Sequence, residues 1–194
     1  TEIYTLSLHD ALPILYVYYA SLSDEEDALQ AIYQFLRVGF ATGSSVLEQY
    51  ANPSVMRIVE LRRKVGNECH HFREFARFES LNGSVYVSHL EPKSDVIMLV
   101  GRHFADRMPS EHWMIIDDKR KIACIHPKDG TNYLRYLTDE EFDTLQKTEE
   151  YTDTYTDLWK TFFHAVGIKE RENYICQRNL FPKWKRKHAV EFRE

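Results

Sequence analysis

Residues 112–126 read HWMIIDDKRKIACIH. Two short apolar runs, 113–116 and 121–125, flank the polar Asp117-Asp118-Lys119-Arg120. Short runs of this kind around a polar turn predict a β-hairpin. Upstream, Val85-Tyr86-Val87-Ser88-His89-Leu90 is rich in β-branched and aromatic residues and reads as a further strand. Between the two, Ser94 stands where it would cap a helix over about 95–107. Strands near 85–90, 112–117 and 121–126 then form a small antiparallel sheet with helices packed on it. The fold class is α+β in a single domain, not a doubly wound sheet.

Helices dominate the residues before this sheet. Ser23-Asp24-Glu25-Glu26 has the spacing of a capping box, followed by Ala28, Ile32, Phe35 and Leu36 at helical intervals. Gly39 and Gly43 mark the stop. Asn52-Pro53 opens a long helix whose stripe runs Val55, Ile58, Val59, Arg62, Val65, Cys69, Phe72 and ends near Phe78. Leu81-Asn82-Gly83-Ser84 reads as a turn. After the sheet, Thr138-Asp139-Glu140-Glu141 is a second capping box. Residues 155–166 then carry Tyr155, Leu158, Trp159, Phe162, Phe163 and Val166 on a helix. Charge is segregated here. Residues 138–157 hold eight acids against Lys147, whereas residues 159–194 hold nine bases against four acids.

The 194 residues are 43% hydrophobic and 28% charged, as in ordinary soluble domains, and the net charge of −5 exerts no global pull towards DNA. Any nucleic-acid site is therefore a local patch. Three cysteines, Cys69, Cys124 and Cys176, are too few for a disulfide framework. With no membrane-length apolar run and no export signal, the expected location is the cytoplasm. The chain carries no phosphate-loop, dinucleotide, C-x-x-C or G-x-S-x-G pattern, which argues against the enzymes those motifs name. Residues 1–14, TEIYTLSLHDALPI, resemble translated sequencing-adapter DNA. They are expected to be non-native, leaving 15–194 as the domain of a chain that naturally begins further upstream.

The densest polar constellation is Glu68-Cys69-His70-His71-Phe72-Arg73-Glu74-Phe75-Ala76-Arg77-Phe78. On a continuous helix Arg73 and Arg77 share a face, and arginines beside aromatics suit phosphate and base contacts. On the motif alone, a helix with buried aromatics and arginines paired to Glu68 or Glu74 is the simpler reading. Adjacent histidines diverge by about 100° on a helix, so no metal site is expected. His103 and Arg107 share a second polar face, which also fits a solvated surface. Asp117 and Arg120 fit a turn with a local ion pair. In the tail, Lys169, Arg171, Gln177, Arg178, Lys183 and Lys185 interleave with Phe181 and Trp184, a pattern suited to backbone charge and base stacking. A basic end packed back on the core is the alternative.

Several ordered runs carry a family resemblance: 65–70, 75–78, Glu91-Pro92, 103–107, 113–117 with Arg120, 158–160, 168–173, Gln177-Arg178 and Pro182. Over about residues 20–192 the chain resembles a bacterial family described only as DNA-metabolism proteins. Its members accompany a radical S-adenosylmethionine protein of DNA repair or modification, and its domain also occurs fused to uracil-DNA glycosylase-type domains. After the proline the family has an Arg-aromatic-Trp run where this chain has Lys183-Trp184-Lys185. The resemblance implies a DNA-binding accessory protein with the radical protein as partner and no cofactor of its own. Arg73, Arg77, Arg107, Lys169, Arg171, Gln177, Arg178, Lys183 and Lys185 would meet the nucleic acid, and Trp184 would stack. Two alternatives stand beside it. One is an enzyme on damaged bases, with Glu68, His70, His103 and Asp117 as acid–base residues. The other is an interaction module without DNA contact.

Overall fold

The computed structural model describes residues 8–81, 83–148, 154–166, 173–182, 186, 188, 189 and 192. The fold class is α+β. In chain order the elements are α1 (Leu8–Ser21), α2 (Ala28–Thr42), a 3₁₀ helix (Gly43–Glu48), α3 (Pro53–Phe75), β1 (Glu79–Leu81), β2 (Val85–Leu90), α4 (Ile97–Arg107), β3 (Trp113–Asp117), β4 (Ile122–His126), β5 (Tyr133–Tyr136), α5 (Asp139–Thr148), α6 (Thr154–Val166) and α7 (Tyr174–Leu180). Contacts divide the chain into two compact units. One comprises residues 1–71 and 93–96, the other 72–92 and 97–194. Among the described residues, no helix is long and apolar enough to cross a membrane.

The first unit is helical. Phe35 of α2, Val46 of the 3₁₀ helix, and Val55, Ile58 and Leu61 of α3 close a core with Ala20, Ala28 and Ala31. α2 ends where Gly43 takes φ 68°, a conformation that favours glycine. Asn52 opens α3 as expected, its side-chain oxygen accepting from the Ser54 amide at 3.0 Å. The expected box at Ser23 does not form. Its hydroxyl accepts from the Glu25 amide, and α2 begins later, behind Asp27. The Asp27 carboxylate is taken by Arg57, which also binds Glu25 and Glu60, and this ion network fixes the entry to α2.

The second unit is built on a five-stranded sheet in the order β1-β2-β3-β4-β5. The hairpin β3–β4 is antiparallel, with Ile115 opposite Cys124. β2 and β3 are parallel, Ser88 beside Ile115, so the expectation of a wholly antiparallel sheet is corrected. The cause is α4. A helix between two neighbouring strands carries the chain back to its starting edge, and the second strand then runs the same way as the first. α4 packs on β3 and β4. On the opposite face, Phe142 of α5 joins Val87, Ile116 and Ala123. The Thr138 box forms as expected. Its hydroxyl accepts from the Glu141 amide, and the Glu141 carboxylate accepts from the Thr138 amide.

Candidate functional site

α3 stops at Phe75, two residues before Arg77, so Arg73 and Arg77 do not share a helical face. Arg73, half-buried in the last turn, donates from Nη2 to the Leu99 carbonyl of α4 at 3.0 Å. Its Nε is buried without a partner. Arg77 donates to the Glu74 and Ala76 carbonyls, both at 3.3 Å, and its guanidinium lies 5.6 Å from the centre of the Trp159 ring. One arginine therefore joins two helices, and the other closes a helix end and stacks on an indole.

The second polar face forms at the end of α4. Arg107 is exposed in its last turn, and Arg102, five residues earlier, is exposed as well. His103, half-buried, meets Phe104 edge-on at 5.2 Å. Burial holds the His103 imidazole below its ordinary value, and the positive charges of Arg73 and Arg107 press in the same direction, with Asp106 opposing. Two guanidinium groups on two helices, Arg73 and Arg107, thus make one positive neighbourhood around a ring held towards its neutral form. A helix C-terminus already favours cations, and unpaired guanidinium groups there suit phosphate oxygens.

The four candidate acid–base residues have separate duties. Glu68 accepts from the Lys93 and Ser94 amides at 2.7 and 3.0 Å and fixes the loop before α4. His70 is exposed on α3, its ring 6.4 Å from that of His71. Asp117 is fully buried at the hairpin turn. It accepts from the Lys119 and Arg120 amides and from Arg120 Nη1 at 2.8 Å, and Arg120 in turn reaches the Pro92 carbonyl. These bonds make Asp117 the clasp of the turn. Arg178 is exposed on α7, the helix that also carries Gln177. Lys169, Arg171, Lys183, Trp184 and Lys185 lie outside the described residues. Among the described residues, no group of three or more His, Cys, Asp or Glu is arranged to hold a metal ion.

One constellation escaped the sequence reading. His89, 4% exposed, bonds through Nδ1 to Asp118 Oδ1 at 2.8 Å, and His188 Nε2 approaches Asp118 Oδ2 at 3.4 Å. The only local signal was a histidine inside a strand whose last four residues are all buried. Its partners stand 29 and 99 positions away, beyond any pattern of spacing.

A family model for a domain of unknown function, DUF4130, matches residues 26–191. No curated protein and no solved structure matches the chain.

Proposed function

The chain belongs to the DUF4130 family, and from that premise we propose that it is a DNA-binding accessory protein of DNA repair or modification, working with a radical S-adenosylmethionine partner. The observation that supports this reading is that the charges of Arg73 and Arg107 converge on His103 at the end of α4, with Arg102 exposed elsewhere on the same helix. Arg102 and Arg107 are the phosphate-facing groups of the described residues. Arg73 holds α4 to α3 and adds its charge from behind. The bases of the tail extend the contact along the strand. The resemblance of the ordered motifs to DNA-metabolism proteins supplies the nucleic acid as ligand and the radical protein as partner.

The test is fluorescence anisotropy with labelled single-stranded, duplex, abasic and uracil-containing DNA at low and high salt, comparing the native chain with Arg102→Ala/Arg107→Ala. Binding at low salt that weakens with added salt and in the variant is expected. Absence of binding to every form at low salt would sink the reading.

A second reading, an interaction module that docks the radical protein without touching DNA, draws on α2. Leu29, Tyr33, Leu36 and Phe40 recur along that helix and are 79%, 55%, 39% and 90% exposed. Apolar residues at this spacing line one helical face, and exposed faces of this kind mark protein contacts. Retention of the radical protein through nuclease treatment, together with no DNA shift, would select this reading.

A further inference from the structure

α2 has one buried side and one bare apolar side. Ala28, Ala31 and Phe35 face the core of the first unit. At 100° per residue, Leu29, Tyr33, Leu36 and Phe40 fall within an arc of about 60°, centred about 140° round the helix from that core face. Their steps are four, three and four residues, the alternation of a coiled-coil seam. A helix lying on a globular core shows one wider stripe, and α2 already has its core contact. The exposed stripe is therefore a second contact, and its geometry takes another helix.

Three features of the stripe narrow which helix that is. First, the stripe has the same spacing from either end. Leu29 and Phe40 lie equally far from the midpoint between residues 34 and 35, and so do Tyr33 and Leu36. A twofold axis at that midpoint sets two copies of α2 antiparallel, Leu29 of one against Phe40 of the other and Tyr33 against Leu36. Second, the helix is nearly uncharged. Arg37 is its one charged side chain, and that guanidinium stands beside the stripe, 5.9 Å from the centre of its own Tyr33 ring. A strongly charged partner finds little to pair with, whereas an identical apolar stripe matches it. Third, the area suffices. At the ~200 Å² that a large side chain can bury, the exposures of the four residues amount to roughly 500 Å² a copy, about 1,000 Å² for a pair, where specific interfaces begin. An open apolar groove of about 370 Å³ adjoins the C-terminal half of the stripe, lined by Val17, Phe35, Leu36, Gly39, Phe40 and Val46. Antiparallel pairing brings Leu29 of the other copy to that groove.

We propose that α2 is a self-association surface, through which two copies of the chain pair antiparallel by Leu29, Tyr33, Leu36 and Phe40. A pair presents the cationic end of α4 twice to one nucleic acid, which raises apparent affinity where both can engage. The pairing itself stands without the DNA reading, and its test contains no DNA.

Sedimentation velocity of the full chain at micromolar and at submillimolar concentration reads the pairing. A reversible shift towards twice the chain mass is expected as concentration rises. Leu29→Gln/Phe40→Gln, at the two most exposed positions of the stripe, should weaken association about tenfold or more. Its thermal unfolding at low concentration should match the native chain, because neither side chain belongs to the core. Cross-linking in a Cys176→Ser background, which removes the exposed native thiol, reads the register. Leu29 and its own copy stand 11 residues apart along the antiparallel pair, about 16 Å, beyond the reach of a short bismaleimide. A mixture of Leu29→Cys and Phe40→Cys chains should therefore cross-link, and neither chain should do so alone. A monomer throughout, a dimer that survives the two glutamines, or either cysteine chain cross-linking alone as fast as the mixture would each overturn the proposal. So would a monomer that retains the radical protein through this stripe and loses it in the glutamine variant, which would give the face to that partner.

Discussion

Asp117 couples a turn to pH through a single buried carboxyl. Burial raises it above its ordinary 3.8, and the Arg120 guanidinium and the turn amides only partly oppose that rise. A raised folded value means that the folded state prefers the neutral acid. Its contribution to stability is full below 3.8 and is lost as pH rises through the raised value. The exposed acids of the ion network have the opposite sign. Lys64 and Arg57 hold Glu25 below its ordinary range, and Arg57 does the same for Asp27 and Glu60, so their contribution appears above that range and is lost as pH falls. Comparing Arg120→Ala with the native chain cancels the network and isolates the turn. Without Arg120 the buried carboxylate loses its ion pair. The variant should be about 2–3 kcal/mol less stable at neutral pH, below the cost of breaking a fully buried pair because Arg120 is partly exposed. The loss should shrink towards pH 4 as the acid becomes neutral. Guanidinium unfolding at several pH values checks this, and a pH-independent loss would assign Arg120 a packing role instead.

At the scale of elements, the contact between α4 and β4 depends on a missing side chain. A methyl group at Gly101 would overlap Cys124 Sγ, whose thiol burial pushes up to about 11. Gly101→Ala should therefore destabilise by about 1–3 kcal/mol, overriding the gain of about 1 kcal/mol that alanine gives an open helix. Removing the sulfur relieves the overlap, so the loss in Gly101→Ala/Cys124→Ala should fall short of the sum of the single losses in a thermal unfolding cycle. Strict additivity would mean the helix shifts freely. The same elements show what the sequence made legible. α3 and the helix at Thr138 announce themselves by caps, and β2, β3 and β4 by dense β-branched runs. β1 is three residues long, and β5, Tyr-Leu-Arg-Tyr, is exposed at every position, so neither shows the alternation of a half-buried strand. The capping box at Ser23 misled because its hydroxyl accepts from the Glu25 amide, two residues on, and α2 starts only after Asp27.

Across the whole molecule, charge decides which reading is testable. The net charge is −5, so any DNA contact works against the average field, and local guanidinium groups carry it. The candidate site was legible in sequence only as residue types. Arg107 and His103 fell one turn apart on α4 as expected, but Arg73 and Arg77 separated where α3 ended, and Arg102 was overlooked because its neighbours looked like any solvated face. His89, Asp118 and His188 met only through a parallel strand pair and a C-terminal segment that no spacing foretold. The cationic end of α4 yields a quantitative expectation. Each phosphate contact releases counterions, so the logarithm of the binding constant falls against the logarithm of salt by about 0.9 per contact on duplex and about 0.7 on a single strand. Arg102→Ala and Arg107→Ala should each make that slope shallower by about one such step. Arg37→Ala, an exposed arginine of α2 lying over Tyr33, should leave the slope unchanged. If Arg37→Ala flattened the slope and the α4 variants did not, the phosphate path would run along the first unit. The end of α4 would then be an ordinary helix terminus whose arginines answer only to its dipole.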